Sequence, residues 1–268
     1  MELPKSNVGD VVQSPKELVI IGHPKIGKTS AILGLENCLL INLEKKEPPF
    51  PGKIINVYKE ILDDSNFTES QRNLDENSKR LIILFKVSQM LQEEYKKGFQ
   101  YDYICIDNLT ELEDIANPYA KKLYTSTAVG ANFQGNDVVA ELKMGAGYMW
   151  LRKAFLKILS AFRGLAKKSI IFIVHPKLIS LDKKGVEVNV TDIDLTGKLK
   201  TIMAGSVDSI GVMFRDKDDS NKVVLSFTSE DGYISKGSNI QRLANNEFVI
   251  SEMKDGKLEF YWDQIFVD

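Results

Sequence analysis

The chain has 268 residues, of which 43% are hydrophobic and 27% charged, with a formal net charge of −2. That length and apolar share fill one large α/β domain or two small ones, and the near-neutral charge argues against a uniformly basic nucleic-acid coat while leaving room for a local basic stripe. No run approaches the roughly 20 apolar residues of a membrane span, and residues 1–16 lack the apolar centre of a signal peptide, so a cytoplasmic protein without a membrane partner is expected. Cys38 and Cys105 each sit inside an apolar run and read as small core residues, and with only two histidines a zinc site is not expected.

Residues 1–16 form a polar N-terminal extension. The first apolar run, Leu18-Val19-Ile20-Ile21, leads directly into Gly22-His23-Pro24-Lys25-Ile26-Gly27-Lys28-Thr29, the pattern G-x-x-x-x-G-K-[ST]. A triphosphate needs a concave row of backbone N–H groups, and Gly22 and Gly27 permit the dihedrals that bend the chain around it. Lys28 is placed for the β- and γ-phosphates, the Thr29 hydroxyl for Mg²⁺, and a helix over residues 28–35 turns its N-terminus toward the anion. The expected nucleotide-binding set is Gly22, His23, Pro24, Lys25, Ile26, Gly27, Lys28, Thr29 and Ser30.

Further strand-like runs follow at residues 39–43, 54–57, 103–106 and 170–174. The later ones are continuous rather than alternating, as suits a sheet buried on both faces. Helical periodicity covers residues 78–97, with Leu81, Leu84, Phe85, Leu91 and Tyr95 on one face, and residues 147–166, with Leu151, Phe155, Ile158, Phe162 and Leu165. This alternation predicts a mostly parallel central sheet flanked by helices. Residues 45–79, with Pro48, Pro49 and Pro51, and residues 125–147, with four glycines, read as long loops or insertions. A β-hairpin is expected around the turn Asp182-Lys183-Lys184-Gly185, then a short helix near residues 195–203. Runs at residues 209–214, 223–227, 247–251 and 258–262 read as antiparallel strands extending the sheet. No composition break divides the chain, so residues 1–268 are expected to form a single domain.

Three polar residues end apolar runs. Asp107 closes Tyr103-Ile104-Cys105-Ile106 and, beside Thr29, supplies the negative oxygen a Mg²⁺ water shell needs; alone, it is also an ordinary strand-ending turn aspartate. Glu44 follows Leu39-Leu40-Ile41-Asn42-Leu43 and reads either as the general base that orients water or as a solvated member of Glu44-Lys45-Lys46-Glu47. His175 ends residues 170–174 and reads as a γ-phosphate sensor or as a satisfied structural histidine, while Lys177 has a phosphate, DNA or solvent to choose from.

The order and spacing of these elements resemble the RecA-like core P-loop ATPases, most closely the short phage nucleotide-binding proteins of homologous recombination and single-strand annealing. The matching stretches are residues 22–29, Leu40-Ile41-Asn42-Leu43-Glu44, residues 101–107 followed by Asn108-Leu109-Thr110, residues 170–177, and Asp194-Leu195-Thr196-Gly197-Lys198-Leu199. Thr196 stands where that family often has proline, and Asn42 where it has aspartate two residues before the glutamate. The resemblance implies a RecA-like core using ATP and Mg²⁺, with Glu44 activating water, His175 sensing the γ-phosphate and Lys28 completing the catalytic set. It implies a homo-oligomeric ring or filament on single-stranded DNA, an annealing or single-strand-binding protein as a further partner, and the host cytoplasm for a phage-encoded chain. A basic residue acting in trans is sought among Lys198, Lys200 and Arg215. The DNA-facing loops would be residues 125–147 and 178–194, offering Phe133 for stacking and Lys143, Lys183 and Lys184 for phosphates; the same residues also suit a solvated hairpin tip and a surface loop.

Two other classes compete with a DNA-dependent ATPase. A P-loop phosphotransferase normally gathers several arginines in a lid, and the six arginines here show no cluster in sequence. A nucleotide-gated binding protein or loader would bind ATP without hydrolysing it and leave Glu44 idle. A GTP switch lacks its guanine-reading element, since Asn221-Lys222 is followed by Val223-Val224.

Overall fold

In a computed structural model that describes residues 12–183, 186–228 and 236–267, with backbone alone at 181–183 and 186–189, the apolar runs become strands buried from both sides. Along β1 (Glu17–Ile21), Val19 and Ile21 enter one core and Leu18 and Ile20 enter the other, all at 0% exposure. A strand with two buried faces has no polar face to alternate with, hence the continuous run.

Helix α1 (Lys28–Leu33) follows β1, and then come β2 (Cys38–Asn42), β3 (Lys53–Asn56), α2 (Val57–Glu60), α3 (Glu69–Arg72) and α4 (Glu76–Lys96). Next are β4 (Tyr103–Asp107), α5 (Leu109–Thr125), α6 (Val138–Glu141), α7 (Ala146–Phe162) and β5 (Ser169–Val174). The chain continues through β6 (Pro176–Lys183), β7 (Val186–Ile193), α8 (Leu199–Ser206), β8 (Ser209–Arg215), β9 (Lys222–Ser226), β10 (Gly237–Ser238), β11 (Glu247–Lys254) and β12 (Lys257–Phe260). The main sheet has the order β12-β11-β9-β8-β1-β5-β4-β2-β3, with β10 paired to β8. From β8 to β3 all neighbours are parallel, while β8–β9, β9–β11, β11–β12 and β10–β8 are antiparallel. The α/β architecture read from the sequence is therefore present, antiparallel extension included.

One face of the sheet is covered by α4, α5 and α7, which deliver Leu84, Leu112, Ile115, Phe155 and Phe162 to a core shared with Val19, Ile106 and Phe172. The other face packs on α1 and on Ile240, Leu243, Ile265 and Phe266 from the segments flanking the C-terminal strands, and there Trp262 donates its indole N–H to the Ala31 carbonyl at 2.7 Å, tying that segment to the helix after the phosphate loop.

The direction of β8 and the two long loops depart from expectation, and a helix fills a stretch left without an element. β8, read as antiparallel, runs parallel to β1, because α8 immediately before it returns the chain to the same edge as a crossover helix. Residues 108–125, where no helix was expected beyond Asn108-Leu109-Thr110, form α5: the Asn108 side chain caps it by accepting from Glu111 N at 2.9 Å. Leu109, Leu112, Ile115, Ala116 and Ala120 make its buried stripe, and this burial outweighs the intrahelical bond forfeited at Pro118. Residues 45–79 hold, besides the expected strand β3, the helices α2 and α3 and the start of α4; residues 125–147 contain α6 and a 3-10 turn, Lys143–Gly145. The expected hairpin is present as β6–β7, paired from Pro176↔Ile193 to Lys183↔Val186 in a separate two-stranded sheet. Among the described residues, no helix is long and apolar enough to cross a membrane.

Candidate nucleotide site

Because β8, β1, β5, β4 and β2 run parallel, their C-terminal ends share one sheet edge, and the polar residues that follow them meet there. The loop after β1 turns tightly, with Lys25 at φ 69° and Gly27 at φ 104°. A Cβ on Gly22 would lie 2.6 Å from Ile26 Cδ1 and 3.0 Å from Lys28 Cδ, so any larger residue there would have to displace those two side chains. His23, Pro24 and Lys25 form its exposed rim. Lys28 is 7% exposed and donates to the carbonyls of Gly22 and His23, both at 2.8 Å. Burial lowers its pKa against the opposing pull of Asp107 and Glu44. These carbonyl contacts hold the ammonium inside the loop's curve, where a phosphate would exchange with them.

Asp107 is 4% exposed at the end of β4 and accepts from the Thr29 hydroxyl at 3.2 Å. Burial, and secondarily the Glu44 charge, push its carboxyl up to about 6, with Lys28 and Thr29 pulling the other way. A hydroxyl and a carboxylate side by side are hard oxygen donors that fit a Mg²⁺ shell. The closed loop around Lys28 fits phosphate oxygens equally well.

Glu44 and His175 also come together. Asn108 Nδ2 donates to Glu44 Oε1 at 2.6 Å, and His175 Nε2 lies 3.2 Å from that same oxygen and 3.0 Å from Asn108 Nδ2. The His175 contact, then the Asn108 bond and the nearby Lys28 charge, hold the Glu44 carboxyl below its usual range despite partial burial. A low pKa keeps Glu44 ionised, as a proton acceptor must be. The peptide between Asp107 and Asn108 is cis.

Two further residues shape the loop that carries Glu44. Asn42 accepts from Glu44 N at 3.1 Å and donates to the carbonyls of Glu44 and Lys46 at 3.2 and 2.9 Å. An aspartate has no N–H for those carbonyls, which is what asparagine contributes here. Arg80 of α4, 2% exposed, donates to the Leu43 carbonyl at 2.5 Å, pairs with Glu111 at 2.8 Å and lies 4.2 Å from the Tyr58 ring centre. Asn108, Asn42 and Arg80 were not among the expected site residues. Asn108 and Asn42 had a signal in the sequence, the first directly following the carboxylate that ends β4 and the second two residues before Glu44; Arg80 had none.

A cavity of about 550 Å³ runs along the loop, lined among others by Lys28, Thr29, Asp107, Glu44 and His175. Its wall includes Arg215, one of the three candidates for a basic residue acting in trans, which lies beside its own chain's loop. Lys198 is exposed, and Lys200 pairs with the buried Asp192 at 2.7 Å, neither of them lining the cavity. Lys177 pairs with Asp194 at 3.1 Å. Of the residues assigned to DNA, Lys143 is exposed, whereas Phe133 is half-buried, edge-on to Tyr124 at 5.4 Å, so its ring is engaged in packing. The Lys183 side chain and Lys184 lie outside the described residues.

Comparison with curated proteins finds no match. Among solved structures, that of the RadB recombinase aligns with 93% of this chain and 92% of its own at 11% identity and a TM-score of 0.41. A family model described as an AAA domain matches residues 14–238, a span that starts ahead of β1 and runs through the phosphate loop, the three strand-end residues and β8. The chain belongs to the AAA domain family of P-loop proteins.

Proposed function

We propose that the protein is a Mg²⁺-dependent ATP hydrolase in which Glu44 is the general base. The observation that carries this reading is the meeting of Glu44, Asn108 and His175 at one carboxylate oxygen, beside Lys28 and Asp107. Lys28 holds the β- and γ-phosphates, Thr29 and Asp107 hold the metal shell, and Glu44 takes a proton from water. Mg²⁺ would supply charge neutralisation on the phosphate oxygens. His175 contacts Glu44 and fits a sensor of the terminal phosphate, linking its presence to the position of the base. Among the described residues the arginines do not cluster over the pocket: Arg215 lines it, whereas Arg80 is buried under β2, Arg163 pairs with Glu17, and Arg242 donates to the carbonyls of Gln13 and Gln264. This favours hydrolysis over phosphoryl transfer to a small acceptor.

The finer reading, action on single-stranded DNA as a homo-oligomer in phage recombination, annealing or replication, is supported by the order of motifs along the chain. The exposed Lys143 remains its candidate phosphate contact. Steady-state ATP hydrolysis by wild type and Lys28→Ala, with and without single-stranded DNA, tests both levels. Hydrolysis that requires Lys28 and rises with DNA is the expected result. Hydrolysis indifferent to DNA, with no DNA binding in any nucleotide state, refutes the DNA reading and leaves the ATPase standing.

A further inference from the structure

We infer that Arg215 binds the nucleotide held by its own chain, at the α-phosphate end, an inference that rests on the nucleotide site proposed above. The sheet order sets the direction. β1, which carries the phosphate loop, lies between β8 and β5, and beyond β5 come β4 and β2. The groups suited to the terminal phosphate, His175, Asp107 and Glu44, follow β5, β4 and β2, all on one flank of the loop. Arg215 ends β8 on the opposite flank, at the same edge, because β8 runs parallel to β1. A triphosphate with its γ end toward Glu44 therefore has its α end toward Arg215.

Local geometry supports that placement. Arg215 pairs with Val223 across the β8–β9 hairpin, and both approach Gly27: a Cβ there would lie 3.6 Å from Val223 Cγ2 and 4.0 Å from Arg215 Nη2. Nη1 donates to the Ser220 carbonyl at 2.7 Å, which braces one side of the guanidinium while Nη2 is the nitrogen beside the loop. Two of the turn's carboxylates are engaged elsewhere: Asp216 accepts from the N–H groups of Asp218 and Asp219, and Asp219 accepts from Asn221 N and pairs with Lys222 at 3.3 Å. A braced, planar, permanently charged group suits a phosphate oxygen.

ATP and ADP both carry the α-phosphate, whereas a residue acting on the γ-phosphate distinguishes them. Equilibrium binding of fluorescent ATP and ADP analogues to wild type, Arg215→Ala and the exposed hairpin control Lys217→Ala reads this directly. The expected result is about tenfold weaker binding of both nucleotides to Arg215→Ala, with the ATP-to-ADP ratio and the control unchanged. Added Lys28→Ala protein, which has an intact Arg215, does not restore the affinity. Unchanged binding in Arg215→Ala, weakening of ATP alone, or restoration by Lys28→Ala protein overturns the inference while the nucleotide site stands. Failure of wild type to bind either analogue removes the site itself. Arg215 is exposed, so its replacement leaves the core intact, and matching thermal unfolding of the free proteins verifies that.

Discussion

Asp107 is buried with its carboxyl raised to about 6 from 3.8, so the free protein is destabilised by the residue proposed to hold the metal. Below about pH 4 the carboxyl is protonated in folded and unfolded chains alike and the penalty is absent. As pH rises toward 6 the unfolded chain ionises first and stability falls, and above that the full cost, about 3 kcal/mol, persists. Asp107→Asn should therefore melt several degrees above wild type at pH 8, with the gap closing toward pH 4. A constant gap across that range in thermal unfolding would contradict the assignment. Asn108 makes a complementary prediction. Asn108→Asp keeps the oxygen that caps α5 but replaces the N–H facing Glu44 with a carboxylate, so the Glu44 pKa rises. Hydrolysis should fall at least about tenfold and its acid limb should move to higher pH, with nucleotide affinity little changed. A rate–pH profile of unaltered shape would reduce Asn108 to a helix cap.

Among the elements, those that carry the site were the most legible. β1, β2, β4 and β5 are continuous apolar runs, and each is followed by a residue whose chemistry stands out against it. α5 was not legible because Pro118 and a mixed polar face obscure its stripe, and its start is fixed by a cap that looks like an ordinary loop asparagine. The direction of β8 was hidden for another reason: an apolar run has the same pattern whichever way it is traversed, and only the α8 crossover decides. Arg80 shows how elements position the loop that carries Glu44, since one buried guanidinium binds the carbonyl preceding Glu44 and reaches Glu111 of α5. Arg80→Ala removes that packing and orphans the Leu43 carbonyl, which should cost about 3 kcal/mol in chemical denaturation. It should also slow hydrolysis, because the Glu44 loop loses its anchor. A loss below about 0.5 kcal/mol would mean the carbonyl is satisfied otherwise.

At the scale of the molecule, the sheet divides two cores, and the phosphate loop sits where both converge on one edge. Trp262 binds the helix that follows the loop, and Val223 of the antiparallel β9 approaches Gly27 beside Arg215 of the parallel β8, so the C-terminal strands adjoin the site rather than merely widening the sheet. The sequence could supply Arg215 only as an unplaced cation, because its partner, Gly27, is nearly 190 positions away and the strand order alone brings them together. Phe133 is the converse: an aromatic in a glycine-rich stretch looks available, yet its ring packs on Tyr124. Ligand linkage follows from the same arrangement. Mg²⁺-ATP at about 100 times its Kd should add about 2.7 kcal/mol of stability to wild type and raise Tm by several degrees, with no such rise in Lys28→Ala.

The central claim is that Glu44 acts as base on a nucleotide held by Lys28, and single-turnover hydrolysis of Mg²⁺-ATP by wild type and Glu44→Gln, with ATP binding measured on the same samples, tests it most directly. The account predicts retained binding and a rate at least about 100-fold lower in Glu44→Gln. Wild-type hydrolysis in Glu44→Gln, at equal occupancy, would contradict it.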